Sequence, residues 1–336
     1  VAITKVAPQR RTPGEEAGPE GRHVNSPLLL TVLMLALVLL QSPIRRALSA
    51  PVMQSWTTVF VAVMVQALPF LVLGVLLSAG IAVFVPPSFF ARALPSRPAL
   101  AVPVAGAAGA VLPGCECASV PVAGALVRRG VTPAAALAFL LSAPAINPIV
   151  LTATAVAFPG APEMVLARLV ASLLVACAMG WLWLRLGRTD WLKPPSHPSH
   201  DGQSRGEAFW GSVRHDVMHA GGFLVVGAMA AATLKAVAPE SWLRAAADNP
   251  VLSVLALAIL AVVLSICSEA DAFVAASLSQ FSLTARLTFL VVGPMIDLKL
   301  FAMQAGTFGR AFALRFAPAT FALAVLASVL TGWVIL

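Results

Sequence analysis

Cys115, Glu116 and Cys117 stand in a row inside a long apolar stretch, with Cys267-Ser268-Glu269-Ala270-Asp271 in a second one. Two thiols flanking a carboxylate are a ligand set for soft metals and zinc, not for magnesium or calcium. An ionisable group at membrane depth is costly and by default marks a functional site. In an extended chain residues i and i+2 point to one side, so both sulfurs of Cys115 and Cys117 are expected to reach one ion. Pro113-Gly114 should hold the chain out of a helix there, with a half-helix starting near Ala118. Its N-terminal dipole would favour thiolate. In the second stretch Ser268 and Asp271 have the spacing of a helix cap, so Asp271 is either a cap or a ligand.

The two stretches are related. With Cys115 placed on Cys267, Ala118/Ala270, Val122/Val274, Ala123/Ala275 and Leu126/Leu278 coincide. Cys117 then falls on Glu269 and Ser119 on Asp271. Residues 66–74 match 219–227 at an offset of 153, which also pairs Pro86 with Pro239 and Ser88 with Ser241. Pro144-Ala145-Ile146-Asn147 matches Pro294-Met295-Ile296-Asp297. Matching blocks in the same order indicate two related halves, a pattern of transporters whose site lies where discontinuous helices meet.

That pattern sets the candidate residues. Cys115, Cys117, Cys267 and Glu269 are the metal-ligand candidates, suited to zinc or trivalent arsenic. Glu116 and Glu269 are candidate proton carriers, since acidic residues within spans serve proton relays. Asn147, Asp271, Asp297 and Lys299 complete the candidate substrate or ion site. Lys299 is expected to compensate Asp297 or Asp271, a role that a structural ion pair would fill equally well. Cys177 reads as a packing or lipid-facing residue. His215 and His219, at i and i+4, are either a metal entry point or interfacial residues. His197 and His200 lie in a linker and receive no role.

The elements that must hold these residues are helices in a bilayer. The chain has 336 residues, of which 59% are hydrophobic and 11% charged. Soluble domains carry about 25% charged residues. Apolar runs of 18 or more residues recur, enough to cross a bilayer. The expected fold is all-α, a polytopic membrane protein with about 7–9 transmembrane segments and broken or re-entrant helices. The expected organisation is a disordered cytoplasmic tail (1–23), an N-terminal anchor (24–51), a first permease repeat (52–187), a polar linker (188–214) and a second repeat (215–336). The net charge of +8 is spread over short loops, as membrane orientation requires, and no nucleic-acid motif appears. No phosphate-binding loop, Ser-His-Asp set or HExxH motif appears, so no ATPase site and no enzyme of these classes is expected.

Loop charge bears on topology. If 99–127 and 249–279 are re-entrant hairpins, Arg92, Arg97, Arg128, Arg129, Arg310 and Arg315 all face the cytoplasm, and the uncharged 159–162 loop faces out. Each repeat then has three full spans, an odd number, so the halves are inverted. Arg45-Arg46 is the exception. If both hairpins cross fully, the repeats are parallel.

Residues 113–130 and 138–148, with 267–275 and 293–299 after them, resemble the permease family known as DUF318 or UPF0718. The resemblance covers about residues 55–336. It implies a multi-span permease in a bacterial plasma (inner) membrane. Some relatives export trivalent organoarsenicals, and others pair with a second membrane subunit. Members associated with arsenic carry Cys-Ser-Cys-like words, whereas this chain places Glu116 between its cysteines, which leaves a divalent metal equally open. The expected function is transport of a thiophilic metal or arsenical-like species, with proton coupling. No resident cofactor is expected. The expected partners are lipid, a small solute, a second membrane subunit and further copies of the chain. The alternatives are a membrane-embedded thiol oxidoreductase, through Cys115 and Cys117, a subunit of a two-component permease for an unknown small solute, and a non-transporting subunit or scaffold.

Overall fold

The computed structural model describes residues 51–111, 115–192, 204–237 and 249–336. The tail, most of the anchor, Arg45-Arg46, Pro113-Gly114, Pro239, Ser241 and residues 193–203 of the polar linker lie outside these. The described residues form helices and no strands. The first half contains α1 (Pro51–Phe84), α2 (Pro87–Ala93), α3 (Pro98–Ala108), α4 (Glu116–Arg128), α5 (Pro133–Ile146), α6 (Pro148–Ala157) and α7 (Glu163–Leu186). The second contains α8 (Arg205–Val237), α9 (Pro250–Leu264), α10 (Asp271–Ser277), α11 (Leu283–Met295), α12 (Leu298–Thr307) and α13 (Arg310–Ile335).

Local chemistry sets many of these boundaries. Proline begins α2, α3, α5, α6 and α9. Its fixed φ suits the first helical position and its missing N–H is not needed there. Asn249 accepts from the backbone N–H groups of Val251 and Leu252 at the start of α9, and Ser282 accepts from Ala285 N at the start of α11. Ser204 and Glu207 form a reciprocal capping box on α8, with Ser204 N donating to Glu207 Oε2 at 2.9 Å.

Among the described residues, six helical stretches are long and apolar enough to cross a membrane: α1, α5 with α6, α7, α8, α11 with α12, and α13. That is three per half. The α5–α6 and α11–α12 spans are 83% and 78% buried, against 28% for α1 and for α13. The broken spans therefore form the centre, and the outer helices present apolar side chains such as Val65, Val226 and Trp333 outward. The first central span breaks at Asn147 alone and the second at Ile296-Asp297. Pro144 and Pro294 stay inside α5 and α11, and the interruption expected over 143–148 is confined to Asn147. The helix continues past Pro144 because a proline disturbs the preceding turn rather than the following one.

Two shorter elements make the hairpins. Pro98–Val111 and Pro250–Leu264 are about 21–23 Å long at 1.5 Å per residue, against about 30 Å of hydrocarbon. Ala101 and Ala105 of α3 share an apolar cluster with Val122 of α4, Leu126 of α4 and Ala135 of α5. Gly109, just past the end of α3, lies against Ser142 and Ala143, near the end of α5. Thus α3 enters from the start of α5, and α4 returns to it, so the pair is re-entrant. In the second half a Cβ added to Gly293 of α11 would lie 3.8 Å from Ala261 Cβ of α9 and 3.9 Å from Asp271 Oδ2 of α10, so α11 packs closely on both.

Equivalent helices run in opposite directions. Trp183, near the end of α7, contacts Phe312, near the start of α13 (ring centroids 5.4 Å apart). Trp56, early in α1, donates to Thr233, late in α8, at 2.9 Å. The repeats are inverted. This arrangement gathers Arg92, Arg97, Arg128, Arg129, Arg185, Arg188, Arg310 and Arg315 at one end, where α3 and α5 begin, α4 and α7 finish and α13 starts.

Candidate functional site

The two hairpin tips meet the two helix breaks. Asn147 and Asp297 do the same local work at the breaks. Asn147 Oδ1 accepts from Val150 N at 3.0 Å and Asp297 Oδ1 from Leu300 N, each capping the following half-helix. Asn147 also donates to Ala143 O, so its described bonds are structural. The tip after α9 turns at Ser265, which has φ 47°, a left-handed conformation that costs a non-glycine residue about 1–2 kcal/mol. Its hydroxyl donates to Val262 O and accepts from Leu298 N, tying the tip to the start of α12.

Cys115, Glu116 and Cys117 are brought together more tightly than their order in the chain requires. The two sulfurs and a Glu116 carboxylate oxygen lie within 4.8 Å of one another. Cys115 is extended, with ψ −177°, but Glu116 and Cys117 already belong to the first turn of α4. The half-helix begins two residues before the expected Ala118, and the sulfurs converge through the bend from strand-like to helical backbone, not through i, i+2 alternation. The Cys115 thiol also interacts with the Cys267 thiol at the other tip. All three cysteines are buried.

Lys299 closes the cluster. Its Nζ lies 2.8 Å from Glu116 Oε1 and 3.3 Å from Asp297 Oδ2, and all three side chains are fully buried. The expected partner Asp297 is thus one of two, and Asp271 is not the other. A close approach makes this possible: a Cβ on Gly227 of α8 would sit 2.6 Å from Lys299 Cα, so only glycine lets α8 pack there. Gly74, its repeat counterpart, presses in the same way on the Ala118 backbone of α4.

Asp271 is not a cap. Ala270 is the residue preceding α10, and no side chain caps that end. Ser268 Oγ is buried without a hydrogen-bond partner. Asp271 instead binds Arg168 of α7 bidentately, at 3.0 and 2.8 Å, and Arg168 also donates to Thr154 Oγ1 of α6 at 2.9 Å. The paired carboxylate outcompetes the cap because a two-pronged guanidinium bond in low dielectric is stronger than one neutral N–H bond. Arg168 escaped the sequence reading. Its signal was present: an arginine near the start of the apolar run of α7, far from the terminal Arg185 and costly unless it meets a buried acid.

Glu269 stands apart from the tight trio. Neither of its oxygens has a hydrogen-bond partner on another residue, and the same is true of Glu116 Oε2. It lies within electrostatic reach of Glu116, Lys299 and Arg168. Cys177 packs among Val102, Ala134 and Ala138, away from the cluster, as a packing residue. His215 and His219 stack at 6.0 Å on α8, beside Arg214 and Met218, in an open groove of about 480 Å³ near the arginine-rich end. They do not join the cysteine cluster.

Comparison with known proteins agrees with the architecture. The chain matches the family model described as "Predicted permease" over residues 53–333. It is 36% identical over 262 residues to the UPF0718 protein YcgR of Bacillus subtilis (strain 168), covering 76% of this chain and 89% of that protein. It is 32% identical over 266 residues to a Streptococcus mutans serotype c protein named, provisionally, as a subunit of a two-component membrane permease complex, covering 77% of this chain and 88% of that one. No solved structure matches it significantly. With six candidate spans among its described residues, inverted halves and a relative at this identity over most of both chains, the chain belongs to the UPF0718 predicted permease family.

Proposed function

We propose that this membrane permease carries a thiophilic cation or an organometallic species, a divalent metal such as zinc or a trivalent arsenical, across a bacterial plasma membrane. Cys115 and Cys117 would be its principal ligands, with Cys267 and Glu269 completing the shell. The observation that supports this is the convergence of Cys115, Cys117 and a Glu116 oxygen within 4.8 Å, at the meeting point of hairpin tips and helix breaks. Zinc accepts thiolate, carboxylate and imidazole ligands at about 2.0–2.3 Å, so a small inward movement of these atoms would close on an ion.

Charge supports a cationic cargo. Glu116, Glu269, Asp271 and Asp297 face Lys299 and Arg168 in one buried region. Uncompensated buried charge is expensive, so the surplus acidity calls for a bound cation or protons. Glu269 and the free oxygen of Glu116 are the places for either. Antiport of protons against the cargo follows as the coupling reading. The metal here is substrate, not a resident cofactor.

The test is elemental mass spectrometry on cells expressing wild type or the Cys115→Ser/Cys117→Ser double variant, across a panel of metals and arsenicals. One element whose cellular content shifts only with wild type supports the proposal and gives the direction. Normal transport by the double variant sinks it. The Streptococcus mutans relative's name favours a second reading, in which this chain needs a membrane partner. Transport in liposomes by the purified chain alone would exclude that reading.

A further inference from the structure

The ion pairs that bind the hairpins cross the boundary between the repeats. Glu116 at the first tip meets Lys299 of the second half. Asp271 at the second tip meets Arg168 of the first half. At the far end of α4, Arg128 lies 3.9 Å from Asp216 of α8, with Ser78 of α1 between them. Ser78 Oγ donates to Asp216 Oδ2 at 3.1 Å and accepts from Arg128 at 3.3 Å.

Two of these pairs lie on opposite sides of the cysteine cluster. Arg128 is twelve residues beyond Glu116 along α4, about 18 Å at 1.5 Å per residue, toward the arginine-rich end. Thr154, which Arg168 also holds, is seven residues beyond the break at Asn147, about 10 Å along α6 toward the opposite end. Between them Cys115, Glu116, Cys117 and Lys299 are fully buried, so this conformation is closed toward both ends. Rocking of one inverted repeat against the other is the usual route to alternating access. A motion of that kind must separate the cross-repeat contacts on one side of the site while those on the other side hold.

We propose that Arg128–Asp216 and Arg168–Asp271 are the two latches of this permease, the first closing the site toward the arginine-rich, cytoplasmic end and the second toward the other face. Arg128 and Arg168 are positioning residues: each acts through a carboxylate on the opposite repeat and neither contacts the cargo. Their geometries fit unequal duties. The Arg168 pair is bidentate, dry and tied to Thr154. The Arg128 pair is longer and partly exposed, with side-chain accessibilities of 16% and 11%. The cytoplasmic latch is therefore the looser of the two, and opening toward the cytoplasm is the easier step. The inference rests on the cysteine cluster being the site and does not depend on which species is carried.

Sided thiol labelling tests it. A Cys177→Ala background leaves Cys115, Cys117 and Cys267 as the reporters. Spheroplasts and inside-out vesicles are treated with a membrane-impermeant maleimide. The Arg128→Gln variant is expected to raise labelling at least tenfold in inside-out vesicles and leave spheroplasts unchanged. The Arg168→Gln/Asp271→Asn pair, neutral on both sides so that no lone charge is buried, is expected to do the reverse. Asp216→Asn serves as the second variant for the cytoplasmic latch, and Thr154→Val for the other. Unchanged labelling in all four, or labelling that rises from both faces or from the wrong face, overturns the proposal. Because labelling needs no substrate, a failed transport assay with sided labelling intact would count against the cargo reading alone.

Discussion

Lys299 Nζ lies 2.8 Å from Glu116 Oε1 although the two residues are 183 positions apart. That bond joins the half-helix carrying the cysteines to the half-helix that begins at the opposite break. It also places a cation beside two thiols and two carboxylates, all of them buried away from solvent. Removing one member of a buried pair costs about 3–5 kcal/mol, because the other charge is left uncompensated. Lys299→Met is expected to lose most of its folded population, whereas Lys299→Met/Glu116→Gln recovers some of it. Thermal unfolding of the detergent-solubilised protein measures both.

The cysteines are expected to separate transport from folding. Cys115→Ser/Cys117→Ser changes little volume, so its melting temperature should stay close to wild type while transport falls at least tenfold. Cys177→Ala should keep transport, since Cys177 packs among Val102, Ala134 and Ala138, away from the cluster. Counting reactive thiols before and after turnover distinguishes a carrier from a thiol oxidoreductase: a carrier's count stays constant.

Asn147 and Asp297 carry the same capping bond, but only Asp297 faces Lys299. Asn147→Ser preserves a cap acceptor and should retain transport. Asn147→Ala should cost about 1 kcal/mol of stability, the usual loss for a missing N-cap. Asp297→Asn keeps the cap and removes the charge next to Lys299, and is expected to change transport more than stability. An Asn147→Ser variant that folds and does not transport would give Asn147 a direct part in the cargo site.

Gly74 and Gly227 mark where α1 and α8 touch the backbones of α4 and α12. A methyl at either position has no room, and overpacking costs about 1–3 kcal/mol. Gly74→Ala and Gly227→Ala should each lower thermal stability. Gly80→Ala, on the same helix as Gly74 but with nothing within 4 Å of the added carbon, should not.

The arginine asymmetry predicts orientation. Cysteine placed at Gly160, in the loop between α6 and α7, is expected to react with an impermeant maleimide in intact spheroplasts. Cysteine placed at Arg129 is expected to react only in inside-out vesicles. Reversed labelling would invert the topology, and with it the faces assigned to the two latches.

Much of this architecture follows from the chain read as text. Apolar runs give helices in lipid because an unpaired backbone group there is too costly for any open structure. The matching words at Cys115 and Cys267, and at Asn147 and Asp297, give two related halves, since duplicated sequence repeats its local geometry. Loop arginines that fall on one side once 99–127 and 249–279 are taken as re-entrant leave three full spans per half, and an odd number gives inversion. Arg168 could be seen in the text as an isolated charge, but its partner could not. Neither Asp271 nor Glu116 states in its own neighbourhood which distant cation it will meet: of the two acids expected beside Lys299, Asp297 is there together with Glu116, whereas Asp271 takes Arg168. Ser268 and Asp271 satisfied a local capping rule that a stronger bond from 103 residues away overrode. Spacing along the chain fixes what each helix turn can offer, and only the docking of one inverted half against the other decides which charges are buried together, because in low dielectric each must find the partner that the packed helices bring within about 3 Å.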